Sequence, residues 1–494
     1  MKAMSTPQFD FNTPQRQSTI AILLVILKTL KVLFKQIALP FFVFVVMGKK
    51  GSDYGTYFIV FICSISFISM VYSIVNHFRS FYYIANNELV VNSGILGKKK
   101  LSIPIERIQT INFEENLIHK VFHVKRLKID TAGSGEKELE LAAIDNPKAE
   151  ALRNILLGNK EHLVDTDIQV PKHEEVIFSL DIPDLIKAGL MENHLRSGGL
   201  ILVFMWWIYA NLQEVGINAE DYIEEVEKPA FSINLFLLGL GFFIMVSLMI
   251  SLFRTVFKYY NLHLSRSGNG FKISQGLLNS KTISALDHKI QTVSWSDNLL
   301  KKVMGIHDLK LKQASSKTVE SKESIIIPGC SYRHIMQICQ YVFPSWSPTL
   351  FTFSKVDKSY LYRSYYFSLI LGLIAISISF VFNNYTAITG IVVVVVFLWI
   401  MSYLGYKKLA YGYNQEWVYL KGGAFGDKHI VSPIFKTQSL KISQNPFQRR
   451  KDLVNLTLFN ASGSESIPFI PKETALNMSN YILFKIEIDK RHWM

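Results

Sequence analysis

Three short stretches decide the fold: Arg107-Ile108-Gln109-Thr110, Lys289-Ile290-Gln291-Thr292 and Lys436-Thr437-Gln438-Ser439. Placed over one another, they extend without a gap in both directions. Thirteen residues before the basic position stand Gly94, Gly276 and Gly423, and nine after it stand Asn116, Asn298 and Asn445. Leu127, Leu309 and Leu456 follow, then Ala132, Ala314 and Ala461, so one register runs through 39 columns in three copies. Such self-similarity marks an internal repeat, each copy one structural unit.

Within copy one, Phe81 to Ala85, Glu88 to Asn92, Leu101 to Ile103 and Ile108 to Phe113 are short runs rich in β-branched and aromatic residues, separated by turn residues. Val124 to Thr131 alternates apolar and polar side chains, as a half-buried antiparallel strand requires. Leu139 to Ala143 is the next strand, and Pro147 to Leu157 carries a helical apolar spacing. Tyr332 to Val342 and Leu476 to Phe484 occupy the helix position in the other copies. Antiparallel strands closed by one helix predict a small β-barrel or sandwich with a helical plug.

Working outward, the segments before each copy are apolar. The chain of 494 residues is 49% hydrophobic and 19% charged, against about 25% charged in soluble proteins, with a mean hydropathy of +0.21. From Ser364 to Tyr406 there is no charged side chain, and Asn383-Asn384-Tyr385-Thr386 divides the run into two bilayer spans. Ser197 to Gln213 and Pro229 to Phe253 form a second pair. In the first, Tyr54 to Asn76 is clear. Its partner, Thr19 to Met47, is marginal, because Lys28, Lys31 and Lys35 divide it; an amphipathic interfacial entry with snorkelling lysines fits best. Asn76 and Asn211, near span ends, are expected to hydrogen-bond between helices. A cleaved secretory signal is not expected.

The organisation is therefore α+β: three transmembrane helical hairpins, six spans with the first marginal, each followed by an antiparallel β domain with a C-terminal helix. The boundaries read 1–78 for the entry and first hairpin, 79–158 for domain one, and 159–196 for a linker. The second hairpin is 197–256 and domain two 257–344. A linker at 345–363, the third hairpin at 364–406 and domain three at 407–488 complete the chain. Arg79, Lys187, Arg196, Arg254, Lys258, Lys358, Arg363, Lys407 and Lys408 flank the spans on one side, while the connection from Glu214 to Lys228 is acidic. By the positive-inside rule the domains face the cytoplasm, although Lys49 and Lys50 in the first turn argue weakly the other way.

Phe81-Tyr82-Tyr83-Ile84, Gly94-Ile95-Leu96, Ile105-Glu106-Arg107-Ile108-Gln109-Thr110 and Val124 to Ile129 resemble the bacterial pleckstrin-homology (PH) domain of the YdbS and YdbT type. The arrangement of the whole chain is similar to membrane proteins of the YdbT type. Copy three departs at Thr437, where the other copies carry isoleucine. The resemblance implies two curved antiparallel sheets with a C-terminal helix, a bacterial cytoplasmic-membrane location, and a role in envelope stress or resistance to membrane-active peptides. It also implies a smaller single-domain membrane protein as a partner. A fold does not fix a function.

Candidate functional residues fall into two groups. Arg107, Gln109, Asn116, Lys289, Gln291, Asn298, Lys436, Gln438 and Asn445 form a repeated motif able to read a partner's backbone. Buried amides satisfying loop peptide groups would give the same pattern. Lys98, Lys99, Lys100, Lys125, Arg126, Lys128, Lys301, Lys302, Arg449, Arg450 and Lys451 are candidate membrane-surface contacts. The chain carries 53 Lys and Arg against 39 Asp and Glu, and a basic residue near anionic lipid contributes about 1 kcal/mol. Solvated faces with an ordinary positive-inside bias would explain them as well.

Catalytic and metal signatures are missing from the sequence. Cys63, Cys330 and Cys339 form no CxxC pair, and His173-Glu174-Glu175-Val176 lacks the second histidine of HExxH. No GxSxG or Walker A spacing occurs, so no catalytic residue, cofactor or metal is expected. Nucleic acid is discounted, since the basic sites are spread over three anchored domains. The leading expectation is a non-enzymatic membrane-anchored scaffold binding inner-leaflet anionic lipid and protein partners, with homo-oligomers open. The alternative is a lipid or peptide translocating protein regulated by its domains.

Overall fold

The computed structural model describes residues 9–27, 29–30, 53–94, 97, 99–131, 139–158, 175–192, 229–267, 270–314, 324–381, 385–489 and 491. Residues 31–47 of the first hairpin, the first member of the second hairpin and the acidic 214–228 connection, with Asn211, lie outside them. The chain forms two compact units, one of residues 1–173, 193–262 and 273–284, the other of 174–192, 263–272 and 285–494.

In the first unit, helix α1 (Asp53–Arg79) leads into β1 (Phe81–Ala85), β2 (Glu88–Ser93) and β3 (Lys99–Pro104), an antiparallel sheet in that order. The N-terminal segment joins it: Gln15 and Tyr82 exchange backbone hydrogen bonds of 2.8 Å, and Phe11 is buried in the same core. Strand β4 (Ile108–Glu115), short helix α2 (Leu117–Val121), β5 (Val124–Thr131) and β6 (Leu139–Asp145) form the second sheet, closed by α3 (Asn146–Gly158). Alternation delivers Leu127 and Ile129 inward, against Leu89, Ile108, Leu141, Leu152 and Leu156. Each such fully buried side chain contributes about 1.5–3 kcal/mol.

In the second unit the stretches expected as linkers hold structure. Within 159–196, β7 (Glu175–Ser179) and α4 (Ile182–Leu190) are formed. After α5 (Pro229–Tyr259), which belongs to the first unit, β7 pairs with β8 (His263–Ser267). The hairpin strands β9 (Gly270–Gln275) and β10 (Ser280–Leu286) precede β11 (Ile290–Ser296), α6 (Leu299–Val303), β12 (Ile306–Gln313), β13 (Ser324–Ser331) and α7 (Tyr332–Val342). Within 345–363, β14 (Ser354–Lys355) likewise becomes an edge strand of copy three. Its extended, polar sequence carries too little pattern to reveal a two-residue strand.

Helices α8 (Ser359–Val381) and α9 (Tyr385–Lys408) are the third apolar pair. The Trp399 indole N–H donates to Ser368 Oγ at 2.9 Å, and the Ser364 and Ser402 hydroxyls lie 2.6 Å apart. The copy ends with β15 (Ala410–Tyr413), β16 (Trp417–Gly422), β17 (Lys428–Pro433), β18 (Thr437–Ser443), α10 (Pro446–Arg449), β19 (Leu453–Asn460), β20 (Gly463–Pro471) and α11 (Lys472–Ile488). Among the described residues, three helices, spanning Gly241–Tyr259, Ser359–Val381 and Ala387–Lys408, are long and apolar enough to cross a membrane.

The repeated glycine sits where a domain meets its span. Gly94, Gly276 and Gly423 have φ of +110°, +110° and +106°, a left-handed region that favours glycine. Asn76 Oδ1 accepts a 2.9 Å hydrogen bond from Gly94 N–H, and Gly276 N–H donates to Tyr260 O at 2.9 Å.

Successive domains share sheets. In the first unit β10 pairs antiparallel with β4, Lys281 opposite Glu114 and Thr282 opposite Phe113. In the second, β17 pairs with β11, Lys428 opposite Ser296 and His429 opposite Trp295. Aligned through the repeat, the two registers are identical. Trp295 and His429 stack with centroids 5.0 Å apart, and Tyr419 Oη lies 2.9 Å from His429 Nδ1.

Burial, with Lys421 adding repulsion, holds the His429 imidazole down to about 4, against 6.5 ordinarily. Between those values the unfolded chain takes up a proton that the folded one refuses. Stability therefore falls as pH is lowered from 6.5 towards 4, by on the order of 3 kcal/mol. Equilibrium unfolding in detergent is expected to show His429→Phe losing that component of the acid sensitivity; an unchanged pH profile would refute the assignment.

Candidate functional site

The repeated motif is drawn into the domain junctions. Lys436 is 3% exposed, and its Nζ donates to the carbonyls of His288 at 2.8 Å and Ile290 at 2.6 Å, across to the preceding copy. Burial pulls its ammonium down to about 8. Lys289 and Gln291 are buried. The side chains of Arg107 and Gln109 lie outside the described residues. Gln438, in the column of Gln291, is exposed. The three asparagines are N-caps: Asn298 Oδ1 accepts from Lys301 N–H at 2.9 Å, Asn445 Oδ1 from Gln448 N–H at 2.8 Å, and Asn116 precedes α2. In copy three the cap is reciprocal, since Asn445 N–H donates to Gln448 Oε1 at 2.9 Å.

Most of the basic clusters are spent internally. Lys125 pairs with Glu150 at 2.8 Å, Arg126 with Glu140 at 3.3 Å, and Lys128 with Glu114 at 3.0 Å. Burial raises the Glu114 carboxyl, but Lys128 and Lys281 outweigh it and hold the group below its usual range. Lys301 is 2% exposed, between Asp308 at 2.6 Å and Glu192 at 3.1 Å. Lys302 pairs with Asp427 at 2.6 Å. Lys98 and the side chain of Lys99 lie outside the described residues, while Lys100 is exposed. Buried ion pairs and an exposed basic patch cannot be told apart from sequence, because the acids that pair come from other strands.

Arg449, Arg450 and Lys451 behave differently. All three are exposed, and among the described residues none has a carboxylate within 4.0 Å. Arg449 ends α10 and the other two follow it, beside the first turns of α8. There a cavity of about 480 Å³ is lined by Tyr362, Arg363, Tyr366, Phe367, Phe447 and Arg450, with Lys451, Ile370 and Phe469 completing the wall. Arg363 lies over the Phe469 ring, 4.9 Å from its centroid. No lining residue is acidic. Lys451 also acts on the Asp357 carboxyl, which burial raises but Ser359 hydrogen bonds and the Lys451 and Lys358 charges hold below its usual range.

The position matters. Arg363 is the last charge before the 43 uncharged residues of the third apolar pair, so the cations gather where α8 passes from polar to apolar sequence. Tyr366, Phe367 and Ile370 continue the wall along the span and are exposed. A cationic end joined to an apolar flank suits an amphiphile with an anionic head. The signal available in sequence was Arg363 among Tyr360, Tyr362, Tyr365 and Tyr366, an interfacial aromatic cluster. What sequence reasoning missed was Phe447 and Phe469, which approach from another element. A second cavity, about 460 Å³, lies at the end of α5 beside Asn116, Arg254, Lys258 and Lys281, but includes Glu114. Its mixed charge suits an anion less well.

Among the described residues no group of three metal-binding side chains converges. Burial pushes the Cys339 thiol up to about 12 and the Cys330 thiol higher, so neither is a thiolate at neutral pH.

The two kinds of cation predict different losses. Lys301→Ala leaves the half-buried Asp308 without its cation and is expected to cost about 1.5–3 kcal/mol, whereas Arg450→Ala stays within about 0.5 kcal/mol. Denaturant titration of both variants in detergent checks this, and similar losses would contradict it.

The bacterial PH domain family matches residues 22–160, 229–343 and 366–484, each match reaching into the apolar helices as well as the β domain. The chain is similar to the UPF0699 transmembrane protein YdbT of Bacillus subtilis (strain 168), 24% identical over 475 residues that cover 91% of this chain and 93% of that relative. No solved structure matches. Matched three times along its length by that family, the chain belongs to the bacterial PH domain family as a membrane protein carrying three copies of the domain.

Proposed function

We propose that this protein is a non-enzymatic scaffold of the bacterial cytoplasmic membrane that holds an anionic phospholipid at its third PH domain, its domains facing the cytoplasm. The observation that carries the reading is the cavity of Arg363, Arg450 and Lys451, whose cations converge without an acid at the polar end of an apolar helix. Its volume of about 480 Å³ is within the usual range for small-ligand sites. Arg363 and Arg450 supply planar donors for phosphate oxygens, and Lys451 adds a point charge. Tyr366, Phe367 and Ile370 give the first part of an acyl chain an apolar path.

Scaffolding follows from the sheet sharing. A shared sheet within each unit fixes neighbouring copies to one another, and tethering to the bilayer raises the effective concentration of any second contact. The hydrogen bonds linking α8 and α9 through Ser364, Ser368, Trp399 and Ser402 support a closed helix pair, which favours holding lipid over passing it. A role in envelope stress or in resistance to membrane-active peptides fits a protein that senses lipid charge.

Three cations at about 1 kcal/mol each give a lipid preference of roughly a hundredfold at low salt, smaller at physiological ionic strength. Native mass spectrometry of the purified full chain, titrated with phosphatidylglycerol and with phosphatidylcholine, reads it. The expected result is selective retention of phosphatidylglycerol that falls at least about tenfold in Arg363→Gln/Arg450→Gln/Lys451→Gln. Equal retention of both lipids, or no change in the variant while its melting temperature is kept, would sink the proposal.

A further inference from the structure

Each internal junction fills one sheet edge. The strand that opens a second sheet, β4 in copy one and β11 in copy two, receives the last first-sheet strand of the next copy, β10 or β17. Copy three differs. Its opening strand β18 stands at the end of a three-stranded sheet in the order β18-β19-β20, and among the described residues nothing pairs with its outer side.

The edge keeps the character of a receiving strand. Ile111, Val293 and Leu440 share one column, and Phe113, Trp295 and Ile442 another. Trp295 is 2% exposed beneath its neighbour, while Ile442 is 38% exposed. Every residue of β11 but the last is buried, whereas Gln438, Ser439, Lys441 and Ile442 of β18 are exposed. A strand that retains the apolar columns of a junction, yet lies open, is a template for strand addition.

Between these apolar columns, where copies one and two carry the neutral Asn112 and Ser294, copy three carries Lys441. The shared register says what Lys441 would meet. An incoming strand would place its residue at the Lys281 and Lys428 column opposite Ser443, diagonal to Lys441. On this chain the remaining first-sheet edge is β3, in a sheet ordered β1-β2-β3, and Lys99 stands at that column. Lys99 would meet Lys441 and Ser443 with no carboxylate on either strand, while junction one sets Glu114 3.3 Å from Lys281. Like charges across a sheet are unfavourable. Lys441 thus disfavours a second copy and favours an acid.

We propose that β18 is a docking edge for the first-sheet strand of a bacterial PH domain on another polypeptide, one that carries a carboxylate at the column of Lys99. The backbone ladder supplies affinity, Leu440 and Ile442 are covered as Val293 and Trp295 are, and Lys441 selects the acidic strand. This inference is independent of lipid binding at Arg363, Arg450 and Lys451.

The test uses the full chain as both partners, co-reconstituted in vesicles. One copy carries Ile442→Cys; the probe carries Lys100→Cys, the residue that the shared register sets opposite position 442, with either Lys99→Glu or native Lys99. Copies without introduced cysteines set the background. The expected result is disulfide linkage at least about threefold greater with Lys99→Glu than with Lys99, from an opposite-charge pair replacing a like-charge one. Adding Lys441→Glu to the first copy is expected to reverse the order, a swap that a merely accessible edge would not give. Equal linkage with both probes would overturn the selection and assign the edge to a second copy. Linkage at background in every charge combination, with all variants folded by thermal melting, would show that the edge is closed.

Discussion

A β-sheet edge leaves a row of backbone N–H and C=O groups that must be paired, hydrated or covered, and the organisation of this protein follows from how that demand is met. The opening strands β4 and β11 give their outer sides to the next domain, in one register. Once the strands are joined, the side chains flanking them lose water. Lys436 then finds carbonyls of the preceding copy, Asn460 Nδ2 donates to Thr292 Oγ1 at 3.0 Å, and Lys312 pairs with Glu465. Lys436 and Gln291, from the preserved basic and Gln columns, lie at the seam between copies two and three.

That seam also redistributes charge. A formal net charge of +14 suggests a broadly cationic protein, yet many of its cations are committed. Asp427 alone is held by Lys302 and Lys408, at 2.6 and 2.8 Å, and its carboxyl lies below the usual range because these partners outweigh burial. Uncommitted positive charge is concentrated at Arg449, Arg450 and Lys451, next to Arg363 and an apolar helix. Placement relative to the apolar boundary, more than net charge, gives a chemically defined site. A pocket that includes Glu114 has comparable volume and a different character.

Much of the fold was legible because local patterning and tertiary demand agree. The alternation of Val124 to Thr131 reappears as β5, with Leu127 and Ile129 fully buried; the turn glycines take positive φ; Tyr332 to Val342 is the expected helix. Legibility ended at segments whose structure is borrowed from elsewhere. Glu175–Ser179 and Ser354–Lys355 are strands because β8 and β15 offer edges to them, and the residues around Phe11 and Gln15 are ordered by Tyr82. The candidate site was half visible: Arg450 and Lys451 were read as a surface pair, while Phe447 and Phe469, which shape the cavity, had no signal of their own.

By itself, the sequence determined the threefold repeat, the apolar segments and the main strand and helix types of each copy, because each depends on neighbours a few residues apart. Tertiary structure alone decided which lysines are buried against carboxylates, which glutamine lies under a neighbouring strand and which remains in water, and which edge is left open. Gln291 and Gln438 occupy the same column with similar neighbours, yet one is fully buried and the other exposed. The difference is the presence of a following domain, a contact between residues more than a hundred positions apart that no local pattern encodes.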